Sequence, residues 1–238
     1  MASWGEIAVG EYRHSADHPT KSAIIGMVEA ALGIRRENEE MHSCLSDSLG
    51  VACLVRDPGT PIEDYHTIQT PPQSALKSAR YIWTRKDELS IGSALLYTIE
   101  SRREYRCDTF AHVCLWEKEG VKVPYSLEQI AHALNSPRFC LSLGRKSCPP
   151  GLPVHARVIE VSTLLEAFMN AEKEITEILR LFHFSPVAAM YWESDGVPGI
   201  DVRHIITRRD EIASRKRWTF LNRAEHYGVV RVPAGGGA

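Results

Sequence analysis

TKSAIIGMVEAALGI, Thr20–Ile34, is the stretch on which the fold turns. Ile24, Ile25, Val28, Ala31 and Leu32 recur at helical spacing, and Thr20 or Ser22 can cap the start behind Pro19. Gly33 ends the run, so the segment predicts a helix buried along most of one side. Gly26 within it costs about 1 kcal/mol of helical propensity, which a close packing contact or the approach of a ligand explains. Arg35 and Arg36 follow at the negative end of the helix dipole. After an acidic loop, LGVACLVR at Leu49–Arg56 reads as a strand, stopped by Asp57-Pro-Gly-Thr-Pro61.

The same helix-before-strand order recurs downstream. Phe110, Val113, Leu115 and Trp116 mark a strand within Arg102–Trp116, with a turn at Glu117–Val121. Ser126 caps a short helix over Leu127–Leu134. Phe139–Leu143 reads as a brief extended piece and Val154–Val161 as a strand. A helix runs from Ser162 or Thr163 through Met169, and a second helical run lies within Glu172–Phe184. Val187–Trp192, Val202–Thr207, Arg217–Leu221 and Tyr227–Val232 are further strands, and Ala234–Ala238 is a flexible tail. The pattern predicts one α+β domain over residues 1–238 with an antiparallel sheet, not a doubly wound parallel one. Asp64–Thr98 interrupts it: the stretch has no sustained apolar stripe and reads as an excursion from the domain.

Composition bounds the function. With 238 residues, 44% hydrophobic and 24% charged, the chain can bury its own core. The net charge of −2 hides local imbalance. Ser101–Pro150 holds eight Lys/Arg against five Asp/Glu, Asp201–Arg223 seven against three, and Glu160–Gly196 two against seven. Such a chain suits a subunit with one anionic and one cationic face, although solubilising surface charge clusters in the same way. Six scattered cysteines form no CxxC pair, which fits reduced thiols in the cytoplasm and calls for neither a disulfide framework nor structural zinc. MASWGEIAVGEYRH has no apolar core of a signal peptide and no run approaches a membrane span. No cofactor is called for.

The chemistry-bearing positions are basic, small and clustered. P-loop, GxGxxG, GxSxG and HExxH signatures are absent, and the ten histidines are dispersed. In Gly144-Arg145-Lys146-Ser147-Cys148-Pro149 a flexible glycine precedes two cations and a hydroxyl. Backbone N–H groups in such a turn can converge on one anion beside an Arg145 fork and a Ser147 donor; the alternative is a plain exposed turn. Pro19-Thr20-Lys21-Ser22 places a cation at a helix N-terminus, as a phosphate site or simply as a cap. Arg102, Arg103 and Arg106 surround Tyr105, while Arg80 and Arg85 bracket Tyr81 and Trp83. Interleaved cations and rings suit single-stranded nucleic acid, although Trp83 can equally pack on the parent domain.

Several blocks taken together resemble the Cas-five family of type I-E CRISPR systems. They are Ser3-Trp4-Gly5; Arg13 through Pro19-Thr20-Lys21-Ser22-Ala23-Ile24-Ile25-Gly26-Met27 and Ala31-Leu32-Gly33-Ile34; Asp64-Tyr65-His66-Thr67; Arg103-Glu104-Tyr105-Arg106-Cys107-Asp108; and Pro137-Arg138-Phe139 with Leu143 through Pro149. The resemblance spans nearly the whole chain. It implies a modified RRM or ferredoxin-like domain with an extended thumb over residues 64–100. It also implies a non-catalytic role in the Cascade complex, holding the 5′ handle of the CRISPR RNA and meeting the backbone and large subunits. The RNA contacts it implies are Lys21, Ser22, Arg102, Arg106, Arg138, Arg145, Lys146 and Ser147, with Lys77, Arg80, Tyr81, Trp83 and Arg85 as thumb contacts. Relatives in another subtype cleave precursor RNA, and the residues available for that alternative are Tyr65, His66 and Lys77. A third reading is a purely protein-binding scaffold using the acidic Glu160–Gly196. The family pattern also has an apolar strand before Ser3-Trp4-Gly5, where this sequence has only Met1-Ala2. The expectation is a sheet with an unpaired ladder and marginal stability, unless the chain starts further upstream or another segment such as Tyr227–Val232 fills that place.

Overall fold

The computed structural model describes residues 1–8, 10–78, 83–92, 95–175, 182 and 184–232, with the side chains of 77 and 78 left out. The elements in chain order are β1 Tyr12–Arg13, α1 Lys21–Leu32, α2 Glu39–Ser48, β2 Leu49–Asp57, β3 Thr60–Thr70, α3 Gln73–Ser78, α4 Arg85–Leu89, β4 Tyr97–Cys107, β5 Phe110–Glu117, α5 Leu127–Asn135, α6 Leu164–Glu174, β6 Val187–Trp192, β7 His204–Ser214 and β8 Thr219–Arg231. They form a mixed α+β architecture with two sheets. One is antiparallel with strand order β5-β2-β6-β8-β7; the other is β1-β4-β3. No helix among the described residues is long and apolar enough to cross a membrane.

Local signals explain the elements that match expectation. Thr20 Oγ1 accepts from the Ala23 N–H, and Gly33 closes α1 in the left-handed region at φ 78°. The Ser126 and Gln129 side chains cap α5 reciprocally. Gly26 is explained by packing, since a Cβ there would lie 2.8 Å from Nη2 of Arg215. The core divides over the large sheet. Ile24, Ile25 and Val28 of α1 join Leu45, Leu49, Val51 and Ile130, while Phe168 and Leu164 of α6 pack with Leu54, Met190 and Trp192.

Four expectations are corrected. The acidic loop contains α2, whose buried face is largely polar: His42, Ser46 and Ser48 beside Leu45. Val154–Val161 forms no strand; Val154, Val158 and Ile159 remain exposed without a ladder partner. Arg217–Leu221 and Tyr227–Val232 fall largely on one long strand, β8. Finally, each interior strand of the large sheet, β2, β6 and β8, pairs on both sides, so the expected unpaired ladder is absent there. The second helical run lies partly, and the tail at 234–238 wholly, outside the described residues.

The excursion is not structureless. β3 and β4 pair in unbroken register from Thr60 opposite Cys107 to Thr70 opposite Tyr97. Sequence misses this because Ile62, Tyr65, Ile68 and Tyr97 remain exposed, so no core-facing pattern is written into the hairpin. Amides of the β3–β4 ladder are therefore expected to exchange more slowly in the isolated protein than those of Trp83–Ser90, where α4 has no buried residue. Hydrogen exchange read by mass spectrometry checks this, and equal, fast exchange in both segments would refute the ladder.

Candidate nucleic-acid interface

The Gly144–Cys148 loop is folded against the start of the chain. The Leu143 N–H donates to the Cys148 carbonyl at 2.7 Å and the Cys148 N–H to the Arg145 carbonyl at 2.9 Å, closing the loop. The Ser3 N–H donates to the Leu143 carbonyl at 3.0 Å, and Ala2 exchanges backbone bonds of 2.7 and 2.8 Å with Arg106. Ala2, Trp4 and Ala16 are buried with Leu143 and Ala23 packed on them. The first four residues thus clip the basic loop to β4, at a place where Gly144 (φ 87°) leaves no room for a side chain.

This clip brings two separate sequence blocks together. The guanidinium carbon of Arg145 sits 4.8 Å from the centre of the Tyr105 ring, and Tyr105 is buried. Nη1 of Arg145 and Nε of Arg106 are buried without a hydrogen-bond partner, whereas Lys146 and Ser147 are exposed. A buried guanidinium N–H without an acceptor is costly, and an anion or a base edge brought to it supplies one. Arg102 shares the Arg106 face of β4 by strand alternation; it is exposed, 3.6 Å from Glu63 and 5.7 Å from the Tyr65 ring centre. Between them, Glu104 accepts from the Tyr12 hydroxyl at 2.6 Å and from the Ser15 N–H at 3.1 Å. That first bond holds the carboxyl below its usual range and pushes the Tyr12 phenol up to about 12. Arg138 is exposed at the other end of α1, its stem packed on Gly33 and its N–H donated to the Ala31 carbonyl at 3.0 Å.

Lys21 is a correction. It is 1% exposed, with Nζ 3.2 Å from Glu193 and 2.8 Å from Glu211, and its backbone N–H donates to Asp210. The cation and the helix start that read as a phosphate site are taken up by internal carboxylates. The Ser22 hydroxyl lies 3.2 Å from that of Thr20, and the Ser22 carbonyl accepts from Arg215. These contacts belong to a buried charged network that composition alone did not reveal. Glu225 meets His18 Nε2 at 2.9 Å, Arg208 at 3.3 Å and Arg223 at 2.6 Å, and Arg223 also holds Asp210 at 2.6 Å.

On the hairpin, Trp83 is 84% exposed, and Arg85 binds Glu88 and the Gln69 carbonyl. The Lys77 side chain, Arg80 and Tyr81 lie outside the described residues. Tyr65 and His66 are adjacent on β3 and so point to opposite faces. His66 is 2.6 Å from Asp64, and a hydrogen bond with Glu100 raises the Tyr65 phenol. Strand alternation thus keeps these two side chains of the alternative cleavage set apart.

This is an α+β protein with a basic loop clipped by its first residues to an arginine-bearing sheet, on which Glu63 and Glu104 stand among Arg102, Arg103 and Arg106. More particularly, it belongs to the CRISPR-associated protein (Cas_Cas5) family, whose model matches residues 1–232. It is 28% identical over 219 residues to the CRISPR system Cascade subunit CasD of Escherichia coli (strain K12), covering 89% of this chain and 84% of that one. Among solved structures, a chain of a CRISPR RNA-guided surveillance complex superimposes with a TM-score of 0.60 at 22% identity, covering 98% of this chain and 87% of its own. A crystal structure of a Cas protein gives 0.58 at 21%, with coverages of 98% and 93%. These two likenesses concern the fold.

Proposed function

We propose that this chain is a guide-binding subunit of a Cascade-type CRISPR surveillance complex and caps the 5′ handle of the CRISPR RNA without cleaving it. The reading rests on the Arg145 guanidinium, which lies over the Tyr105 ring and carries a buried N–H without a partner, and on a second such N–H at Arg106 on the same strand as Tyr105. Lys146, Ser147, Arg102 and Arg138 lie exposed on the cationic elements and supply further backbone contacts; Lys21 is left out because its charge is taken up internally. In this reading the body is RRM- or ferredoxin-like and the β3–β4 hairpin is its thumb, with Trp83 and Arg85 toward RNA or the backbone subunit. Another face meets the large subunit, and the assembly works in the cytoplasm. Family membership and the likeness to CasD support the assignment.

Arginine and lysine contacts to phosphate set position and carry no base information. Arg145→Ala and Lys146→Ala are therefore expected to weaken handle binding uniformly across base sequences. Each should reduce the salt slope of log affinity by roughly 0.7, the value per phosphate on a single strand. Fluorescence anisotropy with handle RNA at several salt concentrations measures both quantities, and an unchanged double variant would remove this loop from the site. Repeat RNA incubated with the protein in EDTA should be bound and stay intact; cleavage lost in His66→Ala would favour a ribonuclease.

A further inference from the structure

The β7–β8 turn carries a second basic–aromatic group, remote in sequence from the clipped loop. Its backbone is anchored from the α1–α2 connection, α2 and the end of β7 rather than left free. The Lys216 N–H donates to Glu39 at 2.6 Å, Arg36 Nε donates to the Arg215 carbonyl at 3.0 Å, and the Arg217 N–H donates to Ser214 Oγ at 3.0 Å. Arg215 itself is buried, reaching the Ser22 carbonyl at 2.6 Å and Glu29 at 3.4 Å. What this framework presents is Trp218, 58% exposed and held at φ 58°, a conformation rarely adopted by a bulky residue. The guanidinium carbons of Arg36 and Arg215 lie 4.7 and 5.7 Å from the indole centre and the Phe220 ring meets it edge-on at 6.0 Å, so the ring is held in place from the protein side while it stays exposed to solvent. Lys216 and Arg217 are exposed beside it and line a concavity of about 510 Å³ with Glu39, Ala213, Ser214 and Thr219.

We propose that this turn is a second binding site, for single-stranded nucleic acid, in which a base stacks on Trp218 while Lys216 and Arg217 hold the flanking phosphates. Surface charge that only keeps a protein soluble needs no fixed backbone and no exposed indole in a strained conformation. Stacking on an aromatic ring with cations tracking the backbone is the sequence-tolerant chemistry of single-strand binding. Glu39, the acid lining the concavity, has its carboxyl lowered by bonds from Ser214 and from the Lys216 N–H, so it fixes the turn. The proposal is independent of the handle reading.

The test uses the full chain carrying Arg145→Ala and Lys146→Ala, so that failure here and failure of the handle site are distinguishable. Fluorescein-labelled (dT)12 and (rU)12 are titrated by anisotropy. Adding Trp218→Ala should raise Kd on the order of tenfold, and Trp218→Phe should recover most of the loss. Adding Lys216→Ala and Arg217→Ala should lower the salt slope by about 1.4, two phosphates' worth. Preference for (dT)12 or (rU)12 assigns DNA or RNA as the source. An oligomer carrying 5-iodouracil should photocrosslink to Trp218, a readout that needs no variant to fold. No binding by the parent, equal affinity for duplex, unchanged Kd in Trp218→Ala or crosslinks confined elsewhere would each overturn the proposal.

Discussion

Glu225→Ala is expected to lower the melting temperature by roughly 10 °C, the consequence of removing one partner from a buried ionic network. Glu225 is 3% exposed and stands among His18, Arg208 and Arg223. Deleting it leaves two buried guanidinium groups short of charge compensation, a defect that costs about 3–5 kcal/mol. At this chain length each kcal/mol moves the midpoint by about 2–4 °C. Burial alone would raise the Glu225 carboxyl, but the His18 hydrogen bond and the two arginines outweigh it and bring it from 4.5 down to about 2. A depressed carboxyl contributes stability that is complete above its unfolded value near 4.5 and is lost as pH falls through about 2. The wild-type protein should therefore lose about 3 kcal/mol from this group between pH 5 and 2, in the same direction as Asp17, whose carboxyl is lowered by His18. Glu29 opposes them, because burial raises its carboxyl and acidification relieves that cost. Thermal melts from pH 7 to 3 on both proteins check the sign: the gap between wild type and Glu225→Ala should narrow with acid. A gap independent of pH would mean that packing, not charge, accounts for the loss.

That network also shows where sequence reading runs out. Helix α1, strand β2, helix α5 and strand β6 are legible because their signals are local: a cap, an apolar period, a turn residue at each end. Lys21 looked like a phosphate ligand because its partners Glu193 and Glu211 lie 172 and 190 residues away. Helix α2 was invisible for the same reason, since its buried Ser46 donates to Glu211 at 2.6 Å across 165 residues. Without that partner, EEMHSCLSDS reads as polar loop. Val154–Val161 erred in the opposite direction: an apolar stretch supplies propensity, but a strand also needs a neighbour to pair with. At the candidate interface the cations were legible as types and not as neighbours. Only the fold places Arg145 over Tyr105, and the residues that put it there, Ala2 through Trp4, carry no charge to draw attention.

Gly144→Ala tests whether that clip matters more than any single cation. At φ 87° a side chain is strained by about 1–3 kcal/mol before any contact is considered. The added Cβ would also fall 1.8 Å from the Ser3 carbonyl oxygen, a backbone atom that cannot rotate aside. Relief requires the first residues to separate from the loop, breaking the bond from the Ser3 N–H to the Leu143 carbonyl and freeing Arg145 from Tyr105. The expected result is a stability loss on the order of 3 kcal/mol, together with a fall in handle-RNA affinity at least as large as that of Arg145→Ala. Gly151→Ala is the internal comparison, because a Cβ there meets nothing within 4 Å and should leave both quantities nearly unchanged. Melting curves and anisotropy titrations on the two variants at one salt concentration separate the cases. If Gly144→Ala behaves like Gly151→Ala, the loop does not depend on the N-terminal clip. Should it lose stability yet keep full affinity, the clip serves the fold and the RNA contacts lie elsewhere on the cationic face.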